Sequence, residues 1–269
     1  MFSVVIPVYN RSSVLERALE SVLTQTCQSF EILVMDDGSQ EDITVVTGKF
    51  DDPRIKVVRL LHMGACVARN VGIAMAKYEW IAFLDSDDWW HAGKLAEFKK
   101  YIEANPDRDF VYSAFSYWDE TSNVATPIMD QPVANMTSIL LVDNIIHGTS
   151  IVVIRRKRLM EVDGFDVTFP ARQDLDLYVR LSKIVRFGFI PVSLCYISYK
   201  TEKRISTNPV NRLVGYVMFY KKHRGIMTFG QRVYTSKRIL FFAYRCRDWK
   251  RVFAYVLPAI PSILFKFKY

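Results

Sequence analysis

The chain has few cysteines, and none is spaced to bind a metal. Only four occur in 269 residues, at 27, 66, 195 and 246, and no two form a Cys-x-x-Cys pair. A zinc ribbon or disulfide scaffold is disfavoured, and reduced thiols are the simple reading. Long hydrophobic runs are also missing. The longest stretch without a charge is 252–265, interrupted by Pro258 and Pro261, whereas a bilayer span needs about 20 apolar residues. The start, MFSVVIPVYN, lacks a basic segment and a cleavage site, so no signal peptide is expected. No Gly-x-Gly-x-x-Gly follows the first apolar run, which argues against a dinucleotide dehydrogenase. The four histidines, at 62, 91, 147 and 223, show no ligand spacing and are expected to be surface or satisfied buried groups. There are no repeats and no low-complexity segments.

Acidic residues are scarce in one region only. Residues 200–269 hold 16 Lys/Arg against 2 Asp/Glu, while residues 1–199 hold 20 against 26. An acidic body is thus followed by a basic tail. No nucleic-acid recognition motif accompanies that charge, so nucleic acid is not an expected partner.

Half of the residues are hydrophobic, enough for one large core or two modest ones. FSVVIPVY, EILVMDD, KVVRLL, WIAFLDSDD and DFVYSAF read as strands, short and apolar. Helical spacing appears between them, from Ser13, over 66–77 and over 92–102. That alternation predicts a mostly parallel sheet covered on both faces. The pattern fades between 119 and 136, where a long surface connection is expected. It resumes with a strand at 151–154 and a helix near 172–185.

In open parallel sheets, ligands bind beyond the carboxyl ends of the strands. Tyr9 and Asn10 end the first strand, Asp36 and Asp37 the second, and Asp85, Asp87 and Asp88 the fourth. Carboxylates gathered this way repel one another unless cations offset them. Mg²⁺ and Mn²⁺ take hard oxygen ligands, typically one or two carboxylates together with substrate phosphates. The cluster therefore suggests a metal-bridged phosphate ligand, with turn and cap roles as the alternative for each aspartate.

These residues also carry a resemblance. PVYN at 7–10, SVLTQT at 21–26, FEILVMDDGS at 30–39, GACVARNVGIAMA at 64–76 and WIAFLDSDDWW at 80–90 resemble the opening of the family-2 glycosyltransferases. GFD at 164–166 and RQDLDLYVRL at 172–181 continue the match in order. The resemblance implies a GT-A fold of Rossmann type, a nucleotide-sugar donor, a divalent metal and an inverting single displacement. It assigns 1–200 to the catalytic domain, with a nucleotide-sugar half to about 118 and an acceptor half from about 119. The segment 201–269 is then a basic helical extension.

By resemblance, Pro7 and Tyr9 line the donor site, Tyr9 stacking on a uracil-type base. Asp37 accepts from the base N–H, Arg69 forks onto the diphosphate, Asp85 faces ribose or metal, and Asp87 holds the metal. Asp36 and Asp88 are supporting residues, with Asp88 orienting the loop. Asp174 matches the aspartate expected to take the proton from the attacking hydroxyl. Gln173 stands where the family has Glu. Glu202 stands where many relatives have a metal-binding His, so its ligand role is left open.

The tail adds a second theme. Phe242, Cys246, Trp249, Phe253 and Val256 fall 4, 3, 4 and 3 apart, one helical stripe beside basic residues. Such a helix suits an anionic membrane interface, or else it packs on the catalytic domain. The expectation is a glycosyltransferase of bacterial surface polysaccharide assembly. It would use a UDP-sugar and a lipid-linked or saccharide acceptor, and sit in the cytoplasm on the inner face of the membrane. The alternative is a protein of the same fold that binds nucleotide or polysaccharide without catalysis.

Overall fold

The computed structural model describes residues 1–119, 122, 124–198, 208–252 and 254–255. They fall into two compact units. One comprises Met1–Val133, Ile145–Phe165 and Arg180–Thr201; the other comprises Ala134–Asn144, Asp166–Val179 and Glu202–Tyr269.

The first unit carries the sheet. Its first part is the parallel series β3 (Ile55–Arg59), β2 (Phe30–Asp36), β1 (Phe2–Val8) and β4 (Trp80–Phe83), in that spatial order. Every residue of β1, β2 and β4 is buried, which is why each reads as an unbroken apolar run. Crossovers are made by α1 (Ser12–Leu23) with its apolar face inward, the short α2 (Ile43–Thr47) and α3 (Ala65–Met75). The register aligns the strand ends. Val8 pairs with Asp36, Asp37 N–H donates to Val8 O at 2.8 Å, and Leu84 N–H donates to Val5 O at 3.1 Å. Tyr9, Asp37 and Asp85 therefore leave the same edge, as the alternation predicts.

Beyond β4 the sheet departs from the mostly parallel expectation. After β5 (Trp89–Trp90) and α4 (Lys94–Ala104) come β6 (Phe110–Asp119) and β7 (Val124–Ile128). The later strands are β8 (Val152–Arg155), followed directly by α6 (Arg156–Glu161), and β9 (Phe187–Ser198). β8 lies antiparallel between β4 and β6, β9 runs parallel to β6, and β5 is antiparallel to β9. Strand direction leaves no mark on composition, so alternation alone cannot reveal an inserted antiparallel strand.

The expected loop at 119–136 is likewise corrected. It contains β7, paired antiparallel with β6. Ala125, Thr126 and Pro127 are exposed, so this edge strand lacks the apolar alternation that sequence reading depends on, and a proline is tolerated there.

The second unit contains α5 (Met136–Leu140), the start of α7 (Gln173–Leu181), α8 (Pro209–His223) and α9 (Phe229–Arg245). Asn208 caps α8 by accepting from Val210 N–H at 2.9 Å, with Pro209 in the first turn. Thr228 and Gln231 form a capping box at the start of α9. Leu213, Tyr216 and Val217 of α8 pack with Ile239, Phe242 and Ala243 of α9. The tail stripe is thereby divided. Phe242 is in this core and Cys246 is partly buried against it, while Trp249 is exposed. Phe253 and Val256 lie outside the described residues. Among the described residues no helix is long and apolar enough to cross a membrane.

Candidate active site

The donor-side residues all belong to the first unit. Asp37 is buried at the end of β2, and its carboxylate accepts from three directions. Met63 N–H donates to Oδ1 at 2.8 Å, Gly64 N–H donates to Oδ2 at 2.9 Å, and His62 Nδ1 lies 3.1 Å from Oδ2. Tyr9 is half-exposed and stacks on the His62 ring with centroids 3.9 Å apart. Asn10, in the left-handed region at φ 49°, ties the first two strand ends together. Its N–H donates to Ser39 Oγ at 3.0 Å and its Oδ1 accepts from Gln40 N–H at 2.7 Å. Pro7 is buried inside β1. Asp36 takes the turn role open to it: Oδ1 accepts from Ser39 N–H at 2.8 Å, and Arg59 lies 3.4 Å from Oδ2.

The Asp-Ser-Asp-Asp loop after β4 is held by cations and hydroxyls. Arg69, in the first half of α3, reaches Asp85 Oδ1 at 2.6 Å, and Thr149 Oγ1 donates to the same oxygen at 3.1 Å. Burial pushes the Asp85 carboxyl up, but the Arg69 guanidinium and the hydrogen bonds outweigh this and hold it below the ordinary carboxylate range. Arg11 meets Asp87 Oδ2 at 2.7 Å. Arg17 lies over the Trp89 ring at 3.7 Å and reaches the Asp87 carbonyl at 3.3 Å. Asp88 is buried and accepts from Ser150 Oγ at 2.5 Å and Ser198 N–H at 3.3 Å, and Ser150 Oγ in turn accepts from Asp85 N–H at 3.0 Å. Asp88 thus orients the loop through Ser150.

The donor set offers hard carboxylate oxygens of the kind a divalent ion takes. Among the described residues no group of three or more His, Cys, Asp or Glu side chains converges to hold a metal. Asp85 and Asp87 offer hard oxygens, and each is already matched by a guanidinium. Mg²⁺ and Mn²⁺ commonly bind through such a pair plus substrate phosphates. The residues fit an ion that arrives with a diphosphate. Glu202 lies outside the described residues.

Asp174 belongs to the second unit, in the first turn of α7 after Gln173. Asn144 Nδ2 donates to its Oδ2 at 2.9 Å, and Leu175 N–H donates to Oδ1 at 2.8 Å. The preceding segment is clamped by α8. A Cβ at Gly215 would stand 2.6 Å from Ala171 O, so only glycine allows this approach. The Arg172 guanidinium lies 3.9 Å from the Tyr216 ring centroid. Burial lowers the Arg172 pKa, against the pull of Tyr216 and Asp174.

Asp176, two residues on, has a different role. It is completely buried, with His223 Nε2 at 2.8 Å and Lys222 Nζ at 2.9 Å. Lys222 also pairs with Asp166 at 2.7 Å. Burial raises the Asp166 carboxyl, but hydrogen bonds from Lys222 and Thr168 outweigh it and hold the group at about 2. Asp176 is a fixed internal partner of α8 and cannot meet an acceptor.

Arg11, Arg17, His62, Thr149 and Ser150 were not singled out by the sequence. Only His62 carried a signal, standing two residues before Gly64 in a recognised motif.

Comparison with known proteins gives the family and the fold. The family model described as Glycosyl transferase family 2 matches residues 3–163. The chain belongs to that family. An uncharacterized glycosyltransferase of Haemophilus influenzae is 28% identical over 78% of this chain and 73% of its own length. An Escherichia coli protein described as UDP-Glc:alpha-D-GlcNAc-diphosphoundecaprenol beta-1,3-glucosyltransferase is 29% identical over 79% of this chain and 82% of that protein. A Rickettsia felis relative is 45% identical, but the match covers 43% of this chain and the chain spans only 19% of that protein. Among solved structures, Staphylococcus aureus TarS 1-349 in complex with UDP-GlcNAc matches with a TM-score of 0.70. It is 18% identical, with coverage of 91% of this chain and 72% of that one. The last likeness establishes the GT-A-type mixed α/β fold.

Proposed function

We propose that the protein transfers a sugar from a UDP-sugar, with inversion, to a lipid-linked or saccharide acceptor in surface polysaccharide assembly. The observation that carries this is the alignment of Tyr9, Asp37, Asp85 and Asp87 along one edge of the parallel strands. Tyr9 and Asp37 supply a stacking face and an acceptor for a pyrimidine. Arg69 and Arg11 supply cations for a diphosphate, which would replace the carboxylates they now hold. A divalent ion bound by Asp85 and Asp87 would neutralise the departing diphosphate. Asp174 is the proposed base for the acceptor hydroxyl. The lipid-linked acceptor is supported by the E. coli relative described above, whose name gives a diphosphoundecaprenol-linked sugar.

The test is a panel of nucleotides and nucleotide-sugars with and without Mn²⁺, read by thermal unfolding. Binding to the native state alone stabilises by about 2.7 kcal/mol at a ligand concentration 100 times Kd. UDP-sugars are expected to raise Tm by several degrees, and more with metal. If no uridine nucleotide protects, the donor assignment fails.

We further place the protein peripherally on an anionic membrane, on the cytoplasmic side. The supporting face is not the one the tail stripe suggested. On α9, Tyr234, Lys237, Phe241, Tyr244 and Arg245 are exposed at helical spacing, and Trp249 is exposed beyond the helix end. No acidic residue occurs in α9. Aromatics beside cations suit shallow interfacial binding, at about 1 kcal/mol per surface cation. Full-length protein should float with anionic liposomes at low salt and be only partly released at high salt. Phe241→Ser with Tyr244→Ser should make release by salt complete. Failure of the full-length protein to float at low salt overturns the placement.

A further inference from the structure

The Asp37 carboxylate raises a question that the donor reading leaves open. Both of its oxygens already accept from groups of the protein itself. Two of the three donors are the backbone N–H groups of Met63 and Gly64, which cannot withdraw without moving the loop before α3. That loop is pinned. Leu60 N–H donates to Asp36 O at 2.7 Å, and Gly38, at φ +76°, lets the chain pass so close that a Cβ there would stand 2.9 Å from His62 N. The third donor is different. The His62 side chain is 57% exposed and joined to this fixed backbone by two rotatable bonds, so it can leave alone.

What the imidazole does there resembles what a uracil ring would do. It lies flat on Tyr9, with centroids 3.9 Å apart and planes 19° off parallel. Its Nδ1 is 3.1 Å from both the carboxylate and the carbonyl of Asp37. Both of those groups are acceptors, so Nδ1 carries the hydrogen and donates. A uracil bound at this edge would offer the same pair of interactions, a flat face to Tyr9 and an N3–H to Asp37. At 3.9 Å no second ring fits between Tyr9 and His62. The base and the imidazole therefore compete for one place.

We propose that His62 is an internal occupant of the nucleobase subsite, which an arriving uracil must displace from Tyr9 and Asp37. The inference rests on the donor reading above and specifies its base subsite. The occupied fraction sets its effect. Apparent affinity falls in proportion to the time the subsite is open, so a ring in place nine-tenths of the time weakens binding about tenfold. Because uracil satisfies both partners as it displaces the imidazole, the device favours ligands that can donate to Asp37. A base that presents only acceptors there would leave His62 unreplaced.

The test compares wild type with His62→Ala and His62→Phe by calorimetric titration of uridine, UDP and inorganic pyrophosphate. His62→Ala is expected to bind uridine and UDP more tightly by the same factor, about 3- to 10-fold, with pyrophosphate unchanged. His62→Phe keeps a ring for Tyr9 but no donor for Asp37, and should fall between the two. Thermal unfolding of each variant confirms that the exposed substitution leaves the fold intact. Unchanged or weaker uridine binding by His62→Ala, with wild type still binding UDP, overturns this inference alone. Absence of uridine and UDP binding in all three proteins overturns the donor reading and this inference with it.

Discussion

Asp174→Asn is expected to lower the rate of sugar transfer by about 10²- to 10⁴-fold, the range for loss of a general base, while donor binding stays at the wild-type level. The substitution is nearly isosteric. Leu175 N–H can still donate to the retained side-chain oxygen, and the Asn144 amide can turn to present its oxygen to the new NH₂ group. The start of α7 should therefore keep its shape, still clamped by Gly215 and Arg172 against α8. Steady-state transfer to a lipid-linked acceptor, with UDP affinity measured in parallel, reads both quantities. Wild-type turnover in the variant would place the base elsewhere. Asp176 would not be the substitute, because it is completely buried between His223 and Lys222. Asp176→Asn is a different kind of change, one that removes the buried carboxylate shared by Lys222 and His223, leaves Lys222 with Asp166 alone, and so lowers stability.

Asp87→Ala is expected to weaken metal-dependent UDP binding on the order of 100-fold or more, given that even outer partners of a metal ligand are worth 10- to 100-fold. Uridine binding should survive, because the base contacts proposed above, Tyr9 and Asp37, do not belong to the loop after β4. Asp87 also neutralises Arg11, so loss of the carboxylate leaves a partly exposed guanidinium that water can solvate, at little cost to the fold. Calorimetry of UDP with Mn²⁺, and of uridine alone, separates the two effects. Equal UDP affinity in variant and wild type would remove Asp87 from the metal site. Loss of uridine binding as well would mean that the loop has collapsed rather than lost a ligand.

How much was legible in the sequence differed between the two halves of the sheet. In the parallel half each strand is buried on both faces, so apolar runs marked β1, β2 and β4, and polar residues marked their ends. Beyond β4, strand direction and pairing depend on which distant segments meet. β7 was read as a loop because Ala125, Thr126 and Pro127 within it are exposed and polar or non-β-forming rather than alternating apolar. The tail shows the same limit. A stripe of period 3.6 marks a helix with an apolar face, but it does not say what covers that face. Phe242 turned out to fill a core with Tyr216, whereas the exposed aromatics Phe241 and Tyr244 lie on another side of α9.

The sequence by itself determined the glycosyltransferase family, the parallel half of the sheet, and the residue types available for the chemistry. Local order is enough for these: a carboxylate at the end of a buried strand is placed by its two or three neighbours. Only the tertiary structure decided the partners. Arg11 on Asp87, His62 on Tyr9 and Asp37, Ser150 on Asp88, and His223 on Asp176 join residues 25 to 76 positions apart by number. Hydrogen bonds and ion pairs act over about 3 Å, so they are set by which chain segments packing brings together. Spacing along the sequence carries no record of that choice.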